Sequence, residues 1–236
     1  LEKIINFLEM RAAYERESNE KTNTAFLYLF LSALVVMGVK FFAIPHQIQE
    51  AQNYSKEIFA LIESHLSFAL LMSETLFLLL LLLIFYFFIL MLSLFSNTHL
   101  TQSIAKNIAI HLPFASKIIL GFEKFMLFLM ISQMLQSGIT IKKALSASMA
   151  TISVLKFKKA IKEMLYSMKN EGKFLYHPSL FDPLERNLLI GAKTSTQIGS
   201  VLFEISLRAK EEALTQSKKF FRLITALSIF FMAFAV

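Results

Sequence analysis

Apolar residues along the chain form two long runs. The first, residues 24–44, contains 21 residues and a single charge, Lys40, near its end. The second, residues 67–95, contains one carboxylate, Glu74. At about 1.5 Å per residue, either run can cross a hydrocarbon core of about 30 Å, and Lys40 can reach the interface. We therefore predict two transmembrane helices, the first of which ends at Pro45.

The last apolar stretch lies within residues 222–236 and predicts the start of a third transmembrane helix. Residue 1 is Leu rather than Met, and Val236 lies inside this stretch. We therefore expect the sequence to be a piece of a longer protein. Residues 1–23 are charged and lack the apolar core of a signal peptide, so they are interpreted as the end of a preceding cytoplasmic domain.

Residues 96–221 repeat their apolar positions at helical spacing rather than in alternation. Pro113 is placed to open a helix, Gly138 to close it with a left-handed residue, and Thr140 to cap the next one. A third helix is predicted over about residues 154–169. Further helices are expected from Asp182-Pro183 and, after a break between Gly191 and Gly199, over about 200–221.

No segment indicates strands, so the predicted fold class is all-α. The predicted architecture is a polytopic membrane protein with a cytoplasmic helical bundle between the second and third transmembrane helices. Charge sets the orientation: residues 96–222 hold 18 Lys and Arg against eight acids, whereas the 45–66 loop holds one Lys against three Glu. The positive-inside bias therefore predicts that 45–66 is external (periplasmic) and 96–221 cytoplasmic.

The chain also contains a weak internal repeat. Residues 7–21 align with residues 204–218 at an offset of 197, with four identities that include Arg11 with Arg208. Each copy runs directly into an apolar segment. The repeat favours a second, homologous cytoplasmic domain before residue 1.

Candidate chemistry is sparse in this sequence. It has no cysteine and no phosphate-binding GxxxxGK loop, and its five histidines are scattered. We therefore expect no enzymatic activity, no cofactor and no metal. Glu74 is the exception, because a carboxylate within a membrane is a functional candidate by default. It can instead lie at the headgroups, since the apolar residues after it are already long enough to span.

One basic run is the best candidate for a partner surface. It comprises Lys156, Lys158, Lys159 and Lys162. Three interpretations stay open: a solvated helix face, contact with anionic lipid headgroups, or contact with an acidic protein partner. Nucleic acid is disfavoured, because Phe157 belongs to the apolar stripe and leaves the basic face without interleaved aromatic residues.

The stretch FLMISQMLQSGITIKKAL (128–145) carries the most specific pattern of the chain. With the preceding Leu-Pro at Pro113, it resembles the type II secretion system protein F family, and the matching residues are Leu135, Ser137, Gly138, Ile139, Ile141, Ala144 and Leu145. Downstream, Gly172, Leu175, Gly191 and Thr194 also match. Ala192, Ser195 and Gln197 depart from the family's next motif, which indicates a divergent branch.

The resemblance implies a protein with two homologous cytoplasmic helical domains and three transmembrane helices in the bacterial inner membrane. Such proteins are platforms of type IV pilus and type II secretion machines without catalytic activity. The expected partners are membrane lipids, a cytoplasmic assembly or retraction ATPase, other inner-membrane components, a pilin or pseudopilin, and further copies of the chain. The rival hypothesis is a small transporter or channel component that uses Glu74. Gly138 is expected to be architectural, so that Gly138→Val unfolds the domain.

Overall fold

The computed structural model describes residues 2–53, 56–95, 99–170 and 176–235. Within these ranges all regular structure is helical, which confirms the all-α prediction. The helices are α1 (Glu2–Gly38), a π-helical segment (Val39–Ala43), α2 (Ile44–Ala51), α3 (Lys56–Phe95), α4 (His99–Ala109), α5 (Ala115–Gln136), α6 (Ile141–Thr151), α7 (Leu155–Asn170), α8 (Pro183–Gly191) and α9 (Ser195–Ala235).

The chain divides into two compact units, each with its own contacts. The bundle unit consists of Leu1–Glu15 and Ile89–Ser217. The membrane unit consists of Arg16–Phe88 and Lys218–Val236. Helices α1, α3 and α9 contribute residues to both units, and they contain the three segments that the sequence predicted to enter the membrane.

The membrane unit exposes many apolar side chains among its described residues. Thr22–Ala51 lies in this unit, and Leu70–Leu94 of α3 ends in the bundle unit. Both segments are long and apolar enough to cross a membrane, yet only 28% and 17% of their most apolar windows are buried. Phe30 and Leu34 are half exposed, whereas Leu29 on the opposite face is buried. An apolar surface of this extent is stable in contact with lipid rather than water.

The predicted end of the first helix at Pro45 is wrong. The helix continues through the π-helical segment Val39–Ala43 directly into α2. The backbone N–H of Ile44 bonds the carbonyl of Val39, five residues back, so the regular ladder is already interrupted before the proline. Pro45 then occupies the first turn of α2, where its missing N–H costs little.

The predicted 45–66 loop is also mostly helical in its described residues. Ile44–Ala51 is helical, and α3 begins at Lys56, eleven residues before the predicted start of the second run. Gln52 and Asn53 form the described part of the turn, where their N–H groups bond the carbonyls of Ile48 and Glu50. The polar residues that suggested a loop extend the helices beyond their apolar segments instead.

Helix α5 lies at the centre of the bundle unit. It is apolar around its whole circumference, which is the pattern of a helix covered on all sides. Phe125, Ile118 and Leu129 are completely buried, and the Phe128 ring stacks on Phe181 at 5.0 Å between centroids. By length and composition α5 could also cross a membrane, but 56% of its apolar window is covered by the chain itself, twice the share of Thr22–Ala51.

The corner between α5 and α6 forms as the sequence predicted. Gly138 has φ +83°, a left-handed conformation that other residues rarely adopt. Its N–H bonds the carbonyl of Leu135 at 3.0 Å, and the N–H of Ile139 bonds that of Met134 at 2.9 Å, which together make a Schellman motif. Thr140 occupies the N-cap position of α6 as predicted, although its side chain makes no capping hydrogen bond.

The predicted break between Gly191 and Gly199 is shorter than expected, because α9 begins at Ser195 rather than near residue 200. Gly199 therefore lies inside a helix. A Cβ on Gly199 would lie 3.3 Å from the Ser132 carbonyl oxygen and 3.3 Å from the Leu135 Cβ. The glycine is required by close contact with α5 and not by a turn, and sequence alone does not separate the two roles.

Helix α4 was not predicted, whereas the boundaries of the other predicted helices of the bundle unit agree closely with the structure. Helix α7 covers Leu155–Asn170, and α8 begins at Pro183 after a capping box made by Asp182 and Glu185. Helix α5 begins two residues after Pro113, following Phe114, which has φ 62°. Of the two other motif glycines, Gly191 is the last residue of α8, whereas Gly172 lies outside the described residues.

Candidate interaction surface of the bundle unit

Helix α5 carries two neighbouring charged residues, Glu123 and Lys124, and each forms an ion pair with another helix inside the bundle unit. Glu123 and Lys106 of α4 are both almost fully buried and form an ion pair. The second oxygen of Glu123 accepts a hydrogen bond from the backbone N–H of Ser153 at 3.4 Å. A buried charge is tolerated when it is paired and hydrogen-bonded, so this contact fixes α4 and the α6–α7 connection against α5.

The next residue, Lys124, pairs with Glu185 of α8. The Lys124 Nζ lies 2.6 Å from both carboxylate oxygens of Glu185, whose side chain is 3% exposed. The same carboxylate accepts a hydrogen bond from the N–H of Asp182 in the capping box. Sequence reasoning missed both ion pairs. The available signal was the Glu123-Lys124 dipeptide within an otherwise apolar helix.

A small apolar space lies in the core among the described residues of the bundle unit. The apolar space enclosed by α5, α6 and α7 near Phe128 and Phe181 amounts to about 10 Å³. That is about the least volume that can hold one water molecule. Within the described ranges, no group of three or more His, Cys, Asp or Glu side chains is placed to bind a metal ion. The candidate binding features of the bundle unit therefore lie on its surface.

The predicted basic run forms one side of α7. Lys156, Lys159 and Lys162 are exposed, and Lys158 is partly buried. The opposite side of the helix, with Phe157, Ile161 and Met164, is buried in the core as predicted.

Two large exposed side chains lie on α7 beside these lysines. Tyr166 is 66% exposed and Leu155 is 62% exposed. Sequence reasoning missed Tyr166, and the expectation that the basic face holds no interleaved aromatic residue is wrong. We refer to Leu155, Lys156, Lys159, Lys162 and Tyr166 as the α7 surface. Tyrosine is enriched at protein interfaces whereas lysine is depleted there, so Tyr166 is the residue of this surface that favours a protein partner.

The family-motif residues are brought together at the α5–α6 corner. Leu135, Ala144 and Leu145 are buried in the core, whereas Ser137 and Gly138 are exposed at the turn. Ser137 Oγ bonds the carbonyl of Gln133 at 2.9 Å within its own helix. The buried motif residues thus contribute to the core of the bundle unit, and Ser137 and Gly138 form the turn between the two helices.

Glu74 lies at an exposed position near the start of the most apolar part of α3. Its neighbours Ser73 and Thr75 bond the carbonyls of Leu70 and Met72 in the same helix, each at 2.8 Å. An exposed carboxylate near one end of the apolar segment can reach the headgroup region. This position gives no specific support to a transport pathway through the membrane unit.

Comparison with known proteins gives one family. Residues 127–236 match the family model for the type II secretion system (T2SS), protein F. The match covers the C-terminal part of α5 from Leu127, all of α6, α7, α8 and α9, and the motif at Gly138. No curated protein and no solved structure shows significant similarity to the chain. Residues 127–236 thus match the protein F domain of the type II secretion system, which confirms the resemblance seen in the sequence.

Proposed function

We propose that the chain is a non-enzymatic inner-membrane platform of a type IV pilus assembly or type II secretion machine. In this role it couples a cytoplasmic assembly ATPase to the movement of pilin or pseudopilin subunits. The protein F domain and the apolar helices support a membrane component of secretion or pilus machinery. Proteins of this family act as platforms by binding and not by catalysis.

The proposed ATPase contact is assigned to the α7 surface. Three exposed lysines lie beside the exposed side chains of Tyr166 and Leu155. Basic residues steer an acidic partner toward the surface, and a central aromatic residue supplies most of the contact energy. The buried face of α7 holds the helix in the bundle, so the surface can be changed without removing core side chains.

Helix α9 can transmit a movement caused by ATPase binding to the membrane segment. It spans Ser195–Ala235 as one helix and passes from the bundle unit into the membrane unit. Close packing at Gly121 and Gly199 joins α9 to α5: a Cβ on Gly121 would lie 3.0 Å from the Ala213 Cβ. A displacement of the bundle helices is then transmitted to α9, since packed interiors do not deform continuously.

Placement in the membrane follows from charge. With 18 basic and eight acidic residues in 96–222, the bundle unit is assigned to the cytoplasm of a bacterial cell. This side is accessible to an ATPase, while the membrane unit is accessible to the apolar helix of a pilin. Association with further copies of the chain completes the platform.

A charge-reversal experiment tests the ATPase contact. The variant Lys159→Glu/Lys162→Glu changes the α7 surface, and Lys142→Glu/Lys143→Glu makes the same charge change on exposed residues of α6. The full chain is reconstituted in nanodiscs, and binding of a purified assembly ATPase from the same organism is measured by biolayer interferometry. We expect the α7 variant to weaken binding at least tenfold and the α6 variant to change it much less. Equal effects of the two variants would assign the interaction to net charge alone and contradict the proposal.

Fibre assembly or secretion in cells tests the platform role itself. Deletion of the gene is expected to abolish it, and the α6 variant to restore it. Normal assembly in the deletion strain would refute the platform function, whatever the α7 surface binds.

A further inference from the structure

A groove of about 490 Å³ lies in the membrane unit between α1 and α9. Its lining residues are Thr24, Lys218, Phe221, Arg222, Thr225, Ala226 and Ile229. Six of the seven come from α9 at spacings of three and four residues, so they form one face of that helix. From this groove we infer a binding site for one anionic phospholipid.

Charge is segregated along the groove. Lys218 and Arg222 occupy one end, whereas Ala226 and Ile229 occupy the other. At 1.5 Å per residue, the distance from Lys218 to Ile229 along α9 is about 16 Å, roughly half of a hydrocarbon core. A phospholipid has the same polarity over a similar length, with an anionic phosphate at one end and an acyl chain at the other.

The basic end of the groove selects an anionic headgroup. Arg222 and Lys218 are one helical turn apart and both exposed, so their cations can approach the same phosphate. None of the seven lining residues is acidic. The Thr225 hydroxyl donates to the carbonyl of Phe221 at 3.0 Å, and the phosphate contacts are assigned to the two cations at this end of the groove, Lys218 and Arg222.

The position of the groove favours a lipid over a soluble anion. Lys218 and Thr24 each lie where their helix changes from polar to apolar residues. The neighbouring side chains of Leu223, Ile229 and Phe230 are 42%, 49% and 53% exposed and are suited to contact acyl chains. Basic pockets between membrane helices at this depth are known to bind phosphate headgroups. Binding here does not depend on the proposed ATPase contact.

Native mass spectrometry of the full chain, released from detergent micelles, measures retention of added phosphatidylglycerol against phosphatidylcholine. We expect one phosphatidylglycerol to be retained preferentially. Lys218→Gln and Arg222→Gln are each expected to weaken the binding of phosphatidylglycerol about fivefold, which corresponds to about 1 kcal/mol for one basic residue near an anionic headgroup. The matched control is Lys219→Gln, which makes the same charge change on the next exposed residue but does not line the groove.

A second variant tests the acyl-chain end without changing charge. Ala226→Leu fills the groove and is expected to weaken retention while the chain stays monodisperse. Excess inorganic phosphate is not expected to displace the lipid. Equal retention of the two lipids, an equal loss in Lys219→Gln, full retention in Ala226→Leu, or displacement by inorganic phosphate would each overturn the assignment.

Discussion

The left-handed residue at the α5–α6 corner makes a measurable contribution to stability. A Cβ built on Gly138 has no neighbouring atom within 4 Å, so a side chain there meets open space. The cost of substitution is therefore only that of holding φ at +83°. For Ala this strain is about 1–2 kcal/mol, and Asn costs less because it tolerates the left-handed region. Val is β-branched and belongs near the upper end of about 1–3 kcal/mol.

These magnitudes change the expected outcome of Gly138→Val. A folded protein of ordinary stability has about 5–15 kcal/mol in reserve. The open space at Gly138 therefore predicts a destabilised domain rather than the unfolded one expected from sequence. With about 2–4 °C per kcal/mol for a chain of this size, Gly138→Ala should lower the melting temperature by about 2–8 °C, and Val by more.

The assay is the loss of helical circular dichroism of the full chain on heating in detergent micelles. Hydrogen exchange at the α5–α6 corner locates the change. The matched control is Gly191→Ala, since Gly191 also has no atom within 4 Å of a built Cβ but lies in a helix without positive φ. We expect the order of melting temperatures to be wild type, Asn, Ala, Val, with no loss for Gly191→Ala. If Gly138→Val had the same melting temperature as Gly191→Ala, the argument from backbone strain would be refuted.

Two other contacts give predictions by the same assay. Glu123→Ala leaves the Lys106 ammonium buried without its partner and should lower the free energy of unfolding by about 3–5 kcal/mol. The double variant Lys106→Met/Glu123→Leu should have nearly the stability of the wild type. If Glu123→Ala were as stable as the double variant, the buried ion pair would be contradicted. Gly199→Leu should cost more than about 2 kcal/mol, because even a Cβ would lie 3.2 Å from the Gln136 side chain, while Gly191→Leu meets open space. Equal melting temperatures for these two glycine variants would show that α5 and α9 do not pack as described.

Local sequence signals determined most of the helix boundaries in the bundle unit. The Gly138 corner, the start of α8 at Asp182-Pro183 and the amphipathic α7 all depend on residues close in sequence. Capping, left-handed termination and helical periodicity act over a few residues, so they can be recognised without knowledge of the fold. The family motif at the corner was recognisable for the same reason.

Predictions failed where a local signal had two possible physical causes. Pro45 ends a helix in isolation, but the π-helical segment before it accommodates the missing N–H. Gly199 could mark a turn or a close contact, and only its distance from Ser132 and Leu135 distinguishes them. Hydropathy likewise does not reveal whether the apolar surface of α5 is covered by lipid or by protein; its 56% burial favours protein.

Contacts between distant residues were decided by tertiary structure alone. The antiparallel contact of α5 with α9 places Gly121 near Ala213 and Ser132 near Gly199, residues separated by more than 60 positions. The lipid groove requires Thr24 to meet a helix face that begins at Lys218. The sequence by itself determined most of the helices of the bundle unit and the buried face of α7. Their partners depend on how whole helices fill a shared interior, and local sequence rules do not specify that packing.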